Sequence, residues 1–103
     1  MDSSIPTNLN MVLVEGNLLA EPQFNHANGG PYCHFDMAID DREHGQAIHI
    51  GVKVKGKLAM DCKEDLIMGA RVLVKGKLVQ SRWNNQHGRQ RRTEIKASYV
   101  KIL

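Results

Sequence analysis

Two runs of alternating apolar and polar residues, joined by a short helical pattern, constrain the fold of this chain more than any other stretch. In residues 48–55, IHIGVKVK, every second side chain is aliphatic, and in residues 71–79, RVLVKGKLV, valines and leucines recur in a similar way. Successive side chains of a strand point to opposite faces, so each run is expected to bury one face and expose another that carries lysines. The sequence therefore predicts two strands, each with a cationic outer face.

A short helix is predicted between these strands, in KLAMDCKEDLIM. The apolar residues that recur there at helical spacing are Leu58, Ala59, Cys62 and Leu66. Charged residues fill the opposite side, as in a helix with one buried face. Gly69 follows, where a residue in the left-handed conformation commonly ends a helix.

Three further strands are predicted from residues 9–18, 32–39 and 93–103, which also alternate. The stretch AEPQFNHANGGPY carries two prolines and two glycines and is expected to turn. The polar, basic stretch QSRWNNQHGRQRR is expected to be a loop or the end of a hairpin with Gly88 at its tip. Five strands with one helix between the third and fourth form the order of the OB-fold, an all-β Greek-key barrel.

The length of 103 residues predicts a single domain. Residues 1–8 are polar or helix-breaking and are expected to form a flexible N-terminal arm, with the OB-fold domain in residues 9–103. No apolar run approaches the roughly 20 residues of a membrane span, and the N-terminus lacks the pattern of a signal peptide. The chain is therefore interpreted as cytoplasmic.

Metal, cofactor and catalytic chemistry are not predicted. Cys33 and Cys62 are far apart in the sequence, and both are expected to be small buried side chains in a reducing compartment. The histidines show no spacing typical of metal ligands. The chain also lacks a nucleophile with a base, a glycine-rich phosphate loop and a convincing pair of carboxylates, so it is not expected to be an enzyme.

The net charge of +3 is distributed unevenly along the chain. Residues 1–70 hold five Lys or Arg against ten Asp or Glu, a net −5, whereas residues 71–103 hold nine against one, a net +8. A basic field of this kind favours a polyanion, because each neutralised phosphate releases condensed counterions. A solvated basic face that only aids solubility is the alternative that charge alone leaves open.

Several short motifs, taken in order, resemble the bacterial single-stranded DNA-binding protein family. They are GNLLAEP after the first strand, HFDMA in the second, GKLA at the start of the helix, and LIMGARVLVKGKLVQSRWNNQHGR. The similarity extends from about Leu9 to Leu103. It implies an OB-fold that coats single-stranded DNA without sequence preference, in DNA replication, recombination and repair. It also implies a homo-oligomer, with a tetramer expected first and a dimer second.

Single strands are held by a cationic groove that follows the phosphates and by aromatic rings on which bases stack. The predicted nucleic-acid-binding residues are Trp83, Arg82, Lys53, Lys55, Lys75, Lys77, Arg89, Arg91, Arg92 and His49. Trp83 is the predicted stacking ring, since it lies among polar residues and matches the family's loop tryptophan. His49 and Lys55 stand where the family usually has aromatic rings, so charge is expected to contribute more of the affinity than usual.

The remaining aromatic residues and the first strand carry further expectations. Phe35 is expected in the core, Tyr32 and Phe24 are additional candidates for stacking, and the role of Tyr99 is open. On the first strand, Met11 and Leu13 lie opposite the core residues. This apolar face is the predicted surface for self-association.

The chain also departs from the family at its end. Family members usually continue into a flexible linker and an acidic tip that recruits replication and repair proteins, whereas this sequence stops at Leu103. Either a longer chain was cut there, or this is a short form without that means of recruitment. Two alternatives remain: a protein similar to the dimeric, tailless primosomal replication protein N, and an OB-fold assembly module with a weakened DNA site.

Overall fold

The structure, a computed structural model, describes residues 8–103, and within them six strands and one helix follow the chain. These elements are β1 (Val12–Leu18), β2 (Gln23–Ala27), β3 (Gly30–Asp41), β4 (Gln46–Lys55), α1 (Gly56–Cys62), β5 (Arg71–Asn85) and β6 (Gly88–Ile102). The predicted N-terminal arm lies outside the described residues except for Asn8, which precedes β1.

The strands form one sheet that closes on itself. Its order is β1-β5-β6-β4-β3-β2, and β1 also pairs with β3. Residues Val12 to Asn17 of β1 pair with β5, whereas Asn17 and Leu18 pair with Ala38 and Met37 of β3. β4 and β6 are parallel, and the other pairs are antiparallel. This is the predicted all-β barrel, with the helix between the two long central runs of the sequence.

The core lies inside this barrel, on the faces that the alternation predicts. Its fully buried residues include Cys33, Phe35, Met37, Val52, Val54, Val72, Val74 and Ile95. Helix α1 covers the core with Ala59 and Cys62, and Leu66 follows it. Burial raises the pKa of the Cys33 thiol to about 11, and the neighbouring Cys62 thiol makes a smaller contribution in the same direction. The Cys33 thiol is therefore uncharged at neutral pH.

The sequence prediction missed one strand. The stretch predicted only to turn contains β2, which forms a hairpin with β3 around Asn28 and Gly29. Gly30, which follows the turn at a left-handed φ of 105°, allows the chain to enter β3, and a glycine after a short turn is a hairpin signal that the prolines nearby concealed. The predicted loop at residues 80–92 is the end of the long β5–β6 hairpin, one of the two predicted alternatives.

Helix α1 is shorter than its pattern predicts. It ends at Cys62, after which a backbone hydrogen bond of 3.0 Å from Leu66 N to Cys62 O adds one further turn. The apolar positions are nevertheless buried as predicted, because this turn keeps Leu66 on the side of Ala59. Gly69 has a left-handed φ of 84°, but it follows a turn and not the helix itself.

Two predicted core residues are exposed instead, because they lie beyond the layers that cover the core. Leu78 follows the point where β1 stops pairing with β5, at Val12 and Gly76. Ile48 lies on the part of the β3–β4 hairpin that extends past β6, whose pairing with β4 is limited to Gly51 to Lys53. Where a strand extends past its neighbours, no second layer of residues buries its apolar face.

Closure of the barrel depends on the absence of a side chain at Gly16. A Cβ atom there would collide with the backbone carbonyl of Ala38, where β1 passes over β3. We expect Gly16→Ala to lower the free energy of unfolding by about 1–3 kcal/mol, because neither backbone can move away without breaking the pairing of β1 with β3. Urea unfolding followed by circular dichroism measures this change.

Gly29→Ala is the matched control, since a Cβ atom at that turn position has no neighbour within 4 Å. It is expected to change stability by less than about 0.5 kcal/mol. Equal losses for the two variants would contradict the role of Gly16 in closing the barrel.

Candidate nucleic-acid interface

One outer face of the barrel collects side chains from β3, β4, β5 and β6, and we call it the groove face. Its residues share one side of the sheet because directly paired residues, and every second residue along a strand, point the same way. The groove face comprises Tyr32, His34, Asp36 and Ala38 of β3, His49, Gly51, Lys53 and Lys55 of β4, Lys77, Val79, Ser81 and Trp83 of β5, and Gln90, Arg92, Glu94 and Lys96 of β6.

A row of lysines crosses the groove face from strand to strand. Lys77 of β5 pairs with Lys96 of β6, which pairs with Lys53 of β4. His34 of β3 comes next, opposite Lys53. Neighbouring strands are roughly 4.8 Å apart, so the backbones of the three lysines lie within about 10 Å of one another. This cationic row, Lys77, Lys96 and Lys53, provides a local positive charge suited to a phosphate backbone.

A buried carboxylate lies next to the cationic row. Glu94 is only 3% exposed, although it belongs to the outer face. Its Oε1 accepts a hydrogen bond of 2.6 Å from Ser81 Oγ and lies 3.3 Å from Lys53 Nζ, and its Oε2 lies 2.8 Å from His34 Nε2. An ionised carboxylate only accepts hydrogen bonds, so Nε2 of His34 donates here.

These partners determine the charge state of Glu94. Burial alone would raise the pKa of this carboxyl group, but the hydrogen bonds from Ser81, His34 and Lys53 together lower the pKa below its ordinary value of 4.5. Lys53 Nζ also donates a hydrogen bond of 2.7 Å to Ser81 Oγ. Glu94 therefore remains ionised at neutral pH and neutralises Lys53 within the protein.

Arg92 is neutralised in the same way. Its Nη2 donates a hydrogen bond of 2.7 Å to Asp36 Oδ1, and its Nε lies 3.8 Å from Glu94 Oε2. Both Arg92 and Asp36 remain about half exposed. Two of the predicted DNA-binding cations, Lys53 and Arg92, are thus already paired with carboxylates on the groove face.

Trp83 stands on the groove face near the end of the β5–β6 hairpin, opposite Gln90. Its side chain is 46% exposed, which is unusual for so large an apolar surface and leaves the ring open to contact. An open depression of about 550 Å³ lies at this end of the hairpin, lined by residues of both of its sides: Arg82, Trp83, Asn84, Arg89, Gln90 and Arg91.

The arginines of the hairpin divide between its two sides. Arg82 pairs with Arg91, and Arg89 with Asn84, on the side opposite Trp83 and Gln90. Like charges directly across two strands repel each other. Within residues 8–103, Arg82, Arg89 and Arg91 form no ion pair, so their charges are available to an anion.

Lys75 lies apart from this assembly. It belongs to a row with Leu13 of β1 and Tyr99 of β6, before the register of β5 and β6 shifts between Lys75 and Gly76. The exposed apolar side chains of Leu13 and Tyr99 flank it. The structure therefore places Lys75 on the predicted self-association surface, whereas Lys55 and His49 are exposed on the groove face.

The other aromatic residues have separate locations. Phe35 is buried as predicted, and Phe24 packs against the core from β2 and does not face the groove. Tyr32 lies on the groove face, beside Lys55, and is partly exposed. Trp83 and Tyr32 are thus the two aromatic side chains of residues 8–103 that the register places on this face.

Four ionisable residues of the groove face were not among the sequence candidates: Lys96, His34, Asp36 and Glu94. Lys96 alternates with the buried Ile95, and this alternation is a signal that places it on the outer face. The same alternation places Asp36 and Glu94 on the outer face, but only the pairing of β3, β4 and β6 shows that they lie close to each other. Selecting cations alone overlooked the acidic residues that neutralise them.

Two other classes of site receive no support from residues 8–103. The structure contains no group of three His, Cys, Asp or Glu side chains arranged to hold a metal ion in that range. Over the same residues, it has no helix with the length and apolar character that crossing a membrane requires.

The buried carboxylate gives the stability of the protein a defined pH dependence. Because the pKa of Glu94 is lower in the folded chain than in the unfolded chain, its contribution is present above pH 4.5 and is lost as the pH falls further. We expect Glu94→Gln to lower the free energy of unfolding by about 1–3 kcal/mol at pH 7. Urea unfolding at several pH values should show the difference from the wild type shrinking below pH 4.5.

Glu64→Gln is the matched control, since Glu64 is exposed and has no ion pair among the described residues. It is expected to leave stability nearly unchanged at every pH. A Glu94→Gln deficit that stays constant from pH 7 to pH 3 would show that the ionised carboxylate is not what stabilises the fold.

Comparisons with known proteins agree with this geometry. The model of the single-strand binding protein family matches residues 9–103. The chain is 33% identical to single-stranded DNA-binding protein 2 of Chlorobaculum tepidum, covering 92% of this chain and 71% of that protein. It is 28% identical to the single-stranded DNA-binding protein of Treponema pallidum, covering 92% of this chain but 58% of the relative.

A solved structure has the same fold. The small single-stranded DNA-binding protein from Streptomyces coelicolor superimposes with a TM-score of 0.79 at 24% identity, covering 94% of this chain and 96% of that one. At this identity the likeness shows the fold alone, and it confirms the predicted OB-fold. The family match over residues 9–103 carries the assignment further: the chain belongs to the single-strand binding protein family.

Proposed function

We propose that this protein binds and coats single-stranded DNA without sequence preference, in replication, recombination and repair. The observation that supports this most is the placement of the exposed Trp83 on the same face as the cationic row. A polyanion with exposed bases is the ligand that needs both groups at once. The names of the matched relatives support the same ligand.

The proposed mechanism divides the strand between two kinds of contact. Phosphates lie along the cationic row and against Arg82, Arg89 and Arg91 of the hairpin, where they release counterions. Bases turn toward the protein and stack on Trp83, with Tyr32 and His49 as further surfaces. Phosphate contacts and stacking carry no sequence information, so the coating is sequence-independent.

The protein acts in this proposal by binding and not by catalysis, and its setting is the cytoplasm beside the nucleoid. Replication and repair proteins are its further partners. Neither a primosomal replication protein N-like role nor an assembly module is favoured, since the matched relatives carry the name single-stranded DNA-binding protein.

We further propose that the chain forms a homo-oligomer, with a tetramer as the first choice and a dimer as the second. β1 pairs with β5 on one side, and in residues 8–103 its other side is paired only at Asn17 and Leu18. Along this open part, Met11 and Leu13 are 62% and 64% exposed. An open strand edge with apolar side chains is a surface that proteins normally cover.

Replacement of Trp83 tests the proposed function. Trp83→Ala is expected to weaken binding to oligo-dT by about 5- to 100-fold, because one base stack is worth about 1–3 kcal/mol. Trp83→Phe retains a ring and should lose much less. Fluorescence anisotropy with labelled oligo-dT measures all three proteins, and titrations at two salt concentrations report the phosphate contacts.

An assembly module without a DNA site predicts a different result. In that case the wild type binds oligo-dT weakly at low salt, and Trp83→Ala does not change the affinity. Wild-type binding that is tight, weakened by salt and retained on oligonucleotides of mixed sequence supports the proposed coating of single strands.

Replacement of Leu13 tests self-association. Leu13→Asp places a charge on the open apolar surface of β1 and is expected to reduce the mass in solution, because burying an unpaired charge opposes association. Light scattering measures the mass. Ile67→Asp, at a similarly exposed apolar residue beyond the helix, should leave the mass unchanged. Identical masses for all three proteins would rule out the β1 surface as the site of association.

A further inference from the structure

A second depression lies on the groove face between β3, β4 and β6, directly beside the cationic row. Its volume is about 370 Å³, and its lining includes Asp36, His49, Ile50, Gly51, Arg92 and Thr93. A Cβ atom at Gly51 would lie 2.7 Å from Arg92 Nη2, 2.8 Å from Glu94 Oε2 and 3.1 Å from His34 Nε2. The depression thus exists because position 51 carries no side chain, and polar groups of β3 and β6 converge on its floor.

The charges of this depression oppose a phosphate. The Asp36 carboxylate is 49% exposed at its wall, and the ionised Glu94 carboxylate lies beneath its floor. The cation beside them, Arg92, is already held by Asp36 at 2.7 Å. A phosphate placed here would face two carboxylates across a short distance, whereas the cationic row one step away offers lysines.

A nucleobase suits the same surroundings. It is flat and uncharged, one of its faces can contact the exposed ring of His49, and its edge carries hydrogen-bonding groups. The edge of the base would lie against the carboxylate of Asp36. Oδ1 of this carboxylate already accepts a hydrogen bond from Arg92. Among residues 8–103, no group donates a hydrogen bond to Asp36 Oδ2, so this oxygen is available to a donor on a ligand.

We infer that this depression is a subsite for a single nucleobase, and that it favours bases with an exocyclic amino group. Cytosine, adenine and guanine each present an amino group that can donate to Asp36 Oδ2. Uracil and thymine present a carbonyl oxygen at the position where cytosine has its amino group, and this oxygen would face the carboxylate. The subsite adds a local base preference to the sequence-independent coating, and it rests on the proposed function.

Cytosine and uracil form the matched pair for the test, because they differ only in the exocyclic group and its adjacent ring proton. The wild type, Asp36→Asn and Asp40→Asn are titrated at pH 8 with oligo-dC and oligo-dU of equal length, by fluorescence anisotropy. Asp40 lies on the same strand and face as Asp36, is exposed, and forms no ion pair among the described residues. Its variant therefore controls for the loss of one negative charge.

Removing the charge of either aspartate strengthens binding to both oligonucleotides, so the ratio of the two dissociation constants is the measured quantity. We expect Asp36→Asn to shift this ratio toward oligo-dU by about 3- to 10-fold, since a hydrogen bond to a charged, half-exposed acceptor is worth the lower part of its usual range. Asp40→Asn should leave the ratio as it is in the wild type.

A second measurement does not depend on any variant. An oligonucleotide of 2-pyrimidinone, which is cytosine without its amino group, should bind the wild type more weakly than oligo-dC. Equal ratios in all three proteins, an equal shift in Asp36→Asn and Asp40→Asn, or equal affinity for 2-pyrimidinone and cytosine would each overturn the subsite while leaving the coating function intact. A wild type that binds no oligonucleotide would overturn the proposed function as well.

Discussion

The hydrogen bonds of the buried Glu94 carboxylate hold together the part of the barrel on which the groove face is built. They join β6 to Ser81 of β5, Lys53 of β4 and His34 of β3, so one side chain ties four strands at their outer surface. The absence of a side chain at Gly51 leaves room for this cluster. The positions of Lys53 and Arg92 therefore follow from the partners of one anion.

The alternation of apolar residues was sufficient to predict the core and the barrel, because burial of one strand face is a local signal. Val52, Val54, Val72 and Val74 are buried as the sequence indicates. The failures occur where burial depends on which strands extend past their neighbours. Leu78 has the same local pattern as these valines, but no strand covers it, and only the register of β1 against β5 shows this.

The candidate site was less predictable than the fold, because charges along a sequence do not show which of them face each other. The ten predicted residues separate in the structure into the groove face, the far side of the hairpin with Arg82, Arg89 and Arg91, and Lys75 beside Leu13. Lys96 completes the cationic row through its pairing with Lys53 and Lys77. The sequence thus contained the charge of the site but not its arrangement.

Neutralised cations change how a basic groove holds a polyanion. A lysine or arginine that is already paired with a carboxylate neutralises a phosphate less completely. Fewer of the counterions condensed on the nucleic acid are then released, so this contact contributes less to the salt dependence of binding. Lys53 and Arg92 are in this position, whereas Lys55, Lys77, Lys96 and the hairpin arginines are not paired within residues 8–103. The electrostatic attraction then comes mainly from these unpaired residues and not from the part of the groove face around Lys53 and Arg92. That part is left to uncharged bases, for which the depression at Gly51 offers contacts.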